Sequence, residues 1–200
     1  MLTIFVLIIL FFSIVIHEIA HGSVALHLGD PTAKNAGRLT LNPLKHIDLF
    51  GTIVLPLMLL FFTQGQGPII GWAKPVPINP FNFRDQKWGG LKVGVAGCVM
   101  NFLVAVIFGL AVRFLPLPST LVMLFSIVVL YNFAWGIFNL FPVPPFDGSH
   151  ILFALIPEKF SQFKLFLQKY GLFIIFLFIF FGLQWVFIAA NLLTSLIIGQ

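Results

Sequence analysis

"FGTIVLPLMLLFF", residues 50–62, is the stretch on which the fold turns. It is apolar throughout, yet its thirteen residues reach only about 20 Å as a helix, against a hydrocarbon core of about 30 Å, and Pro56 interrupts them. Either it crosses a membrane or it enters and returns on the same side, and the two readings send every later segment to opposite sides. The surroundings leave no doubt that a membrane is the setting. The chain of 200 residues is 60% hydrophobic and 8% charged, far from the roughly 25% charged residues of a soluble domain. Four other stretches have spanning length: residues 2–28, about 91–115, 120–141 and 171–198.

Charge decides between the two readings. If residues 50–62 re-enter, ten of the eleven Lys and Arg residues fall on one side, with Arg113 alone opposite; if they cross, the split is four to seven. The positive-inside rule favours re-entry and makes the basic side cytoplasmic. Non-helical backbone at depth is tolerated only against protein or a water-filled cavity, so the returning "GPIIGWAKPVPIN", residues 67–79, is expected as an extended strand lining a site. The expected fold is an all-α polytopic membrane protein of about four full spans, a re-entrant or short helix, and that strand. It is read as one integral-membrane domain over residues 1–200, with a core at 1–148 and a C-terminal amphipathic stretch and last span at 149–200. The first helix is expected to be uncleaved, because it lacks a basic leading region and a small-residue cleavage site, and to end at Gly29 and Pro31. Residues 157–170, "PEKFSQFKLFLQKY", read as a basic amphipathic stretch at the cytoplasmic surface. The net charge of +5 reflects topology and anionic headgroups, with no nucleic-acid partner expected.

Within the first span, "IVIHEIAHGSV", residues 14–24, places His17, Glu18 and His21 in hydrocarbon. An ionisable group there costs several kcal/mol, roughly 3 for Asp at a helix centre, so something must compensate these three. Histidines at i and i+4 point about 40° apart and can hold one metal ion, while an adjacent glutamate can take a proton from water that zinc acidifies to a pKa of about 7. A third protein ligand is then needed. Of the acids Asp30, Asp48, Asp85, Asp147 and Glu158, only Asp147 lies directly beyond a spanning helix on the histidine side, in "NLFPVPPFDG", residues 139–148. Pro142, Pro144 and Pro145 free the backbone there to bend toward the first helix, and Gly148 permits an unusual turn.

"HEIAH", "GWAKPVPIN", "VAGCVMN" and "NLFPVPPFDG", in this order over residues 17–148, resemble the site-2 protease family of intramembrane zinc metalloproteases, in its compact form without PDZ or CBS domains. The resemblance implies one Zn2+ on His17, His21 and Asp147, Glu18 as general base, and Asn139 holding the substrate or its oxyanion. It implies cleavage of transmembrane segments of single-span membrane proteins by a multi-pass enzyme of the cell membrane, and the charge distribution turns the site toward the cytoplasmic side. Cys98 stands where the family often has proline. Residues of "GWAKPVPIN" are expected to clamp an unwound substrate, with the Val76 N–H free to pair with it.

The remaining polar groups are read more plainly. His27 is expected near the membrane surface and His46 solvated in the basic loop, with neither a ligand. Cys98 reads as a small packing residue, and Asn101 mainly as a cross-link between helices. His150 fits a place beside the ligands or at the interface. A metal-ion transporter using the same His/Asp cluster is the alternative, though the outer halves of the helices offer almost no second polar cluster. Cleavage of prenylated or soluble peptides is a third reading.

Overall fold

The computed structural model describes residues 2–64, 71–86 and 88–199. Among the described residues eight α-helices follow one another: α1 (Leu2–His27), α2 (Thr32–Asn35), α3 (Leu55–Phe62), α4 (Gly89–Phe114), α5 (Ser119–Asn139), α6 (Gly148–Leu155), α7 (Ser161–Phe181) and α8 (Leu183–Ile198). Most of α1, and all of α4, α5 and α7, are long and apolar enough to cross a membrane, as expected for an all-α polytopic membrane protein. The helix α1 ends where Gly29 takes a φ of +108°, a backbone state that costs glycine little.

The short apolar segment, Leu49–Phe62, begins with a π-helical stretch, Leu49–Val54, and continues as α3. By Trp72 the chain is back at its starting point: the Trp72 N–H donates to Gly51 O (3.2 Å), and Thr52 Oγ1 donates to Trp72 O (2.7 Å). Trp72 thus lies beside the start of the segment, the arrangement that the re-entrant reading expects. Residues 67–70 of the expected strand lie outside the described residues. Residues 71–79 form no strand among the described residues, because Pro75 and Pro77 have no N–H to give a ladder.

The bundle core lies between α4, α5 and α8, with Ala105, Val129, Phe133, Ala134, Val186 and Ala190 buried together. Small residues let these helices approach closely, the usual device where lipid removes the hydrophobic drive for association. The expected final span of 171–198 is divided. The residues of the amphipathic stretch from Ser161 onward are continuous with α7, and the helix breaks at Gly182. Phe178 there stacks on Phe141 (centroids 3.8 Å) and Phe138 (6.0 Å), at the Asp147 end of the bundle. From this point α8 runs to the opposite end, where Arg113 Nη1 donates to Leu196 O (3.2 Å).

Candidate metal centre

Adjacent turns of α1 put the His17 and His21 rings 4.5 Å apart between centroids and at 88° to each other. Both side chains are buried. Asp147 arrives from the loop after α5, at the residue preceding α6. Gly148 makes that placement possible by close approach rather than by an unusual turn: a Cβ there would stand 2.2 Å from Leu140 O. Asp147 Oδ2 lies 2.8 Å from His17 Nε2 and 3.1 Å from His21 Nε2. One donor atom from each of the three residues falls within 4.8 Å of the others.

The other face of each ring is committed. His17 Nδ1 meets Asn101 Oδ1 at 2.7 Å, and His21 Nδ1 meets Val93 O at 2.7 Å. Both partners accept only, so both rings carry a proton on Nδ1, and in the neutral form each Nε2 lone pair faces Asp147. Two imidazole nitrogens and a carboxylate oxygen converging on one point are a donor set suited to zinc. Ligands about 2.0–2.1 Å from a tetrahedral ion stand about 3.3 Å apart, close to the spacings here. Gly97 of α4 completes the cradle. A Cβ on it would stand 2.5 Å from His17 Cε1 and 2.6 Å from both His17 Nε2 and His21 Nε2.

Glu18, partly exposed beside the two rings in sequence, is held from the non-helical segment: the Val76 N–H donates to Glu18 Oε2 at 2.7 Å. The N–H expected to be free for substrate is therefore engaged, a correction that follows from how residues 71–79 are anchored. The backbone groups of alternate residues bond to the protein. Trp72 bonds Gly51 and Thr52; Lys74 donates its N–H to His46 O (2.9 Å) and accepts from Arg38 Nη2 (2.6 Å); Val76 reaches Glu18. The run ends where the Asn79 N–H donates to Asp30 Oδ2 (2.7 Å). Fully buried Asp30 also accepts from the Asn82 amide, the Thr32 N–H and the Thr32 hydroxyl.

His46 is another correction: it is fully buried rather than solvated, with Nε2 donating to Thr40 O (2.8 Å), because the basic loop folds beneath Lys74. His27 is exposed, its Nδ1 bonded to Ser23 O, as a surface position requires. Asn139 is buried and donates to Trp135 O of its own helix at 3.0 Å. His150 is exposed and lines a cavity of about 580 Å3 with Gln86 and Trp88. Cys98 is buried, its thiol 4.0 Å from Asp147 Oδ2, so it packs against the centre itself. Asn101 both cross-links helices and touches His17. Its place on the α4 face of Gly97, one turn away, was the available sequence signal.

Comparison with known proteins agrees with this chemistry. The description "Peptidase family M50" matches residues 116–182. The chain is 38% identical over 185 residues to YwhC of Bacillus subtilis, provisionally named a zinc metalloprotease, covering 88% of this chain and 80% of that protein. It is 25% identical over 159 residues to the zinc metalloprotease MJ0392 of Methanocaldococcus jannaschii, covering 78% of this chain. There it spans only 36% of the longer protein. No solved structure matches.

Proposed function

The chain belongs to peptidase family M50 and is a multi-pass membrane zinc metalloprotease, and on that premise we propose that it cuts single-span membrane proteins within their transmembrane segments. The observation that carries this reading is the place of the His17, His21 and Asp147 group: the two histidines lie inside a helix of spanning length, with residues 71–79 alongside. Zinc bound there would supply Lewis acidity, enough to polarise a peptide carbonyl and to acidify water. His17 and His21 would hold it through Nε2 and Asp147 through its carboxylate.

Glu18 is the general base and then the acid. Its Oε2 is fixed by the Val76 N–H, and no hydrogen bond to Oε1 is found among the described residues, which leaves that oxygen to take a proton and return it to the leaving amine. A substrate helix must unwind before its carbonyl can be reached, and residues 71–79 form the surface that receives the unwound stretch. Val76 then serves by holding the base. Asn139, freed from Trp135 O, would donate to the substrate carbonyl. The basic residues on the side to which the chain returns after residues 50–62 support a centre that faces the cytoplasm. Family membership sets aside the transporter alternative.

The test is to incubate purified protein in liposomes with single-span substrates and map product termini by mass spectrometry. New termini inside the apolar stretch are expected. Cleavage confined to residues outside it would overturn the intramembrane reading and leave a membrane protease of exposed peptides.

A further inference from the structure

Behind His17 lies a chain of buried amides that the reaction itself does not use. Asn101 is fully buried on α4, and Asn132, 1% exposed, faces it from α5. Asn132 Nδ2 donates to Val128 O at 2.9 Å, and its Oδ1 accepts from Asn101 Nδ2 at 3.0 Å. Asn101 Nδ2 also donates to Ser13 O at 3.2 Å, and Asn101 Oδ1 meets His17 Nδ1 at 2.7 Å. The chain has one possible polarity. The Val128 and Ser13 carbonyls only accept, so each must face an amide nitrogen, and Asn101 must then present its oxygen to the histidine.

We propose that Asn101, oriented by Asn132 and Ser13 O, is the positioning residue that keeps the His17 proton on Nδ1 and so presents a bare Nε2 to the metal. This rests on the metal-site reading above. In the alternative tautomer His17 would offer its proton to the ion and a lone pair to Asn101, and a neutral ring so arranged could not be a ligand. Removing such an outer partner commonly weakens metal affinity roughly 10–100-fold. An apolar cavity of about 270 Å3 between α1, α4 and α5 borders both Ser13 and Asn132.

The experiment has two readouts. Nitrogen-15 NMR of histidine-labelled, zinc-free protein, held well above the imidazole titration range, should report His17 as the Nδ1–H tautomer. Zinc competition against a chromophoric chelator should show affinity falling 10–100-fold in Asn101→Leu. If Asn101→Leu does not fold, Asn132→Leu, which leaves Asn101 held by one anchor, should show a mixed tautomer and a smaller loss. An Nε2–H tautomer in wild type, or affinities within twofold across the folded variants, would overturn the inference. Absence of zinc binding by wild type would overturn the metal-site reading instead, while the tautomer would still decide this one.

Discussion

Val76 and Glu18, 58 residues apart in sequence, are joined by one hydrogen bond of 2.7 Å from a backbone N–H to a carboxylate oxygen. The bond ties the base to the segment that lines the site. Val76→Pro removes the donor while staying within a run already rich in proline, and Val76→Ala keeps it. The expected outcome is a fall in kcat of at least tenfold for the proline variant, near-wild-type kcat for the alanine variant, and full zinc content in both. Zinc per protein by mass spectrometry and initial cleavage rates measure the two quantities separately.

Gly97 is required by the absence of its side chain. A Cβ would stand 2.5–2.6 Å from atoms of both His17 and His21, so Gly97→Ala must push one ring from its place. Alanine is the better helix former by about 1 kcal/mol, which makes the helix itself no obstacle. The variant should stay folded and lose most of its zinc. Gly90→Ala, where a Cβ meets nothing within 4 Å, should retain both fold and zinc.

Asp30 ties the end of α1 to residues 79–82. Burial would raise its carboxyl, but the hydrogen bonds from Thr32, Asn79 and Asn82 together outweigh that and hold it below the ordinary range. A folded value below the unfolded one means that the stability it contributes is full above the unfolded pKa, about 3.9, and is lost as pH falls through the lower folded value. Asp30→Asn should cost about 1–3 kcal/mol of stability at neutral pH, since it leaves buried donors poorly matched. It should also show a weaker loss on acidification than wild type. Thermal unfolding in detergent across acid pH checks both.

Removal of zinc should loosen the bundle, because the centre joins α1 to the start of α6. An ion at a hundred times its Kd stabilises a fold by about 2.7 kcal/mol. Chelation should therefore lower the Tm of wild type, and zinc should restore it. In His21→Ala neither treatment should move the Tm appreciably.

The fold and the centre were legible in the sequence to different depths. The helices were visible because long apolar runs have few alternatives in lipid, and the return of the chain to Gly51 after residues 50–62 was foreshadowed by charge asymmetry. His17, His21 and Asp147 could be grouped because each is costly in an apolar setting and lies on one side. The partner of Val76 was not visible: a backbone N–H leaves no mark in composition. His46 looked like a loop residue, since nothing local shows that the loop is covered by Lys74. Asn101 read mainly as a helix cross-link and Asn132 carried no signal, because only geometry shows that the chain of amides ends on His17 Nδ1. The break at Gly182 was hidden inside a continuous apolar run, where a lone glycine is common in membrane helices.

The most direct test is cleavage of a single-span substrate by purified wild type and by Glu18→Gln, with zinc content measured on the same samples. Cutting within the span by wild type and none by a fully zinc-loaded Glu18→Gln is the predicted result. Equal cutting by both, with zinc bound in both, would contradict the account.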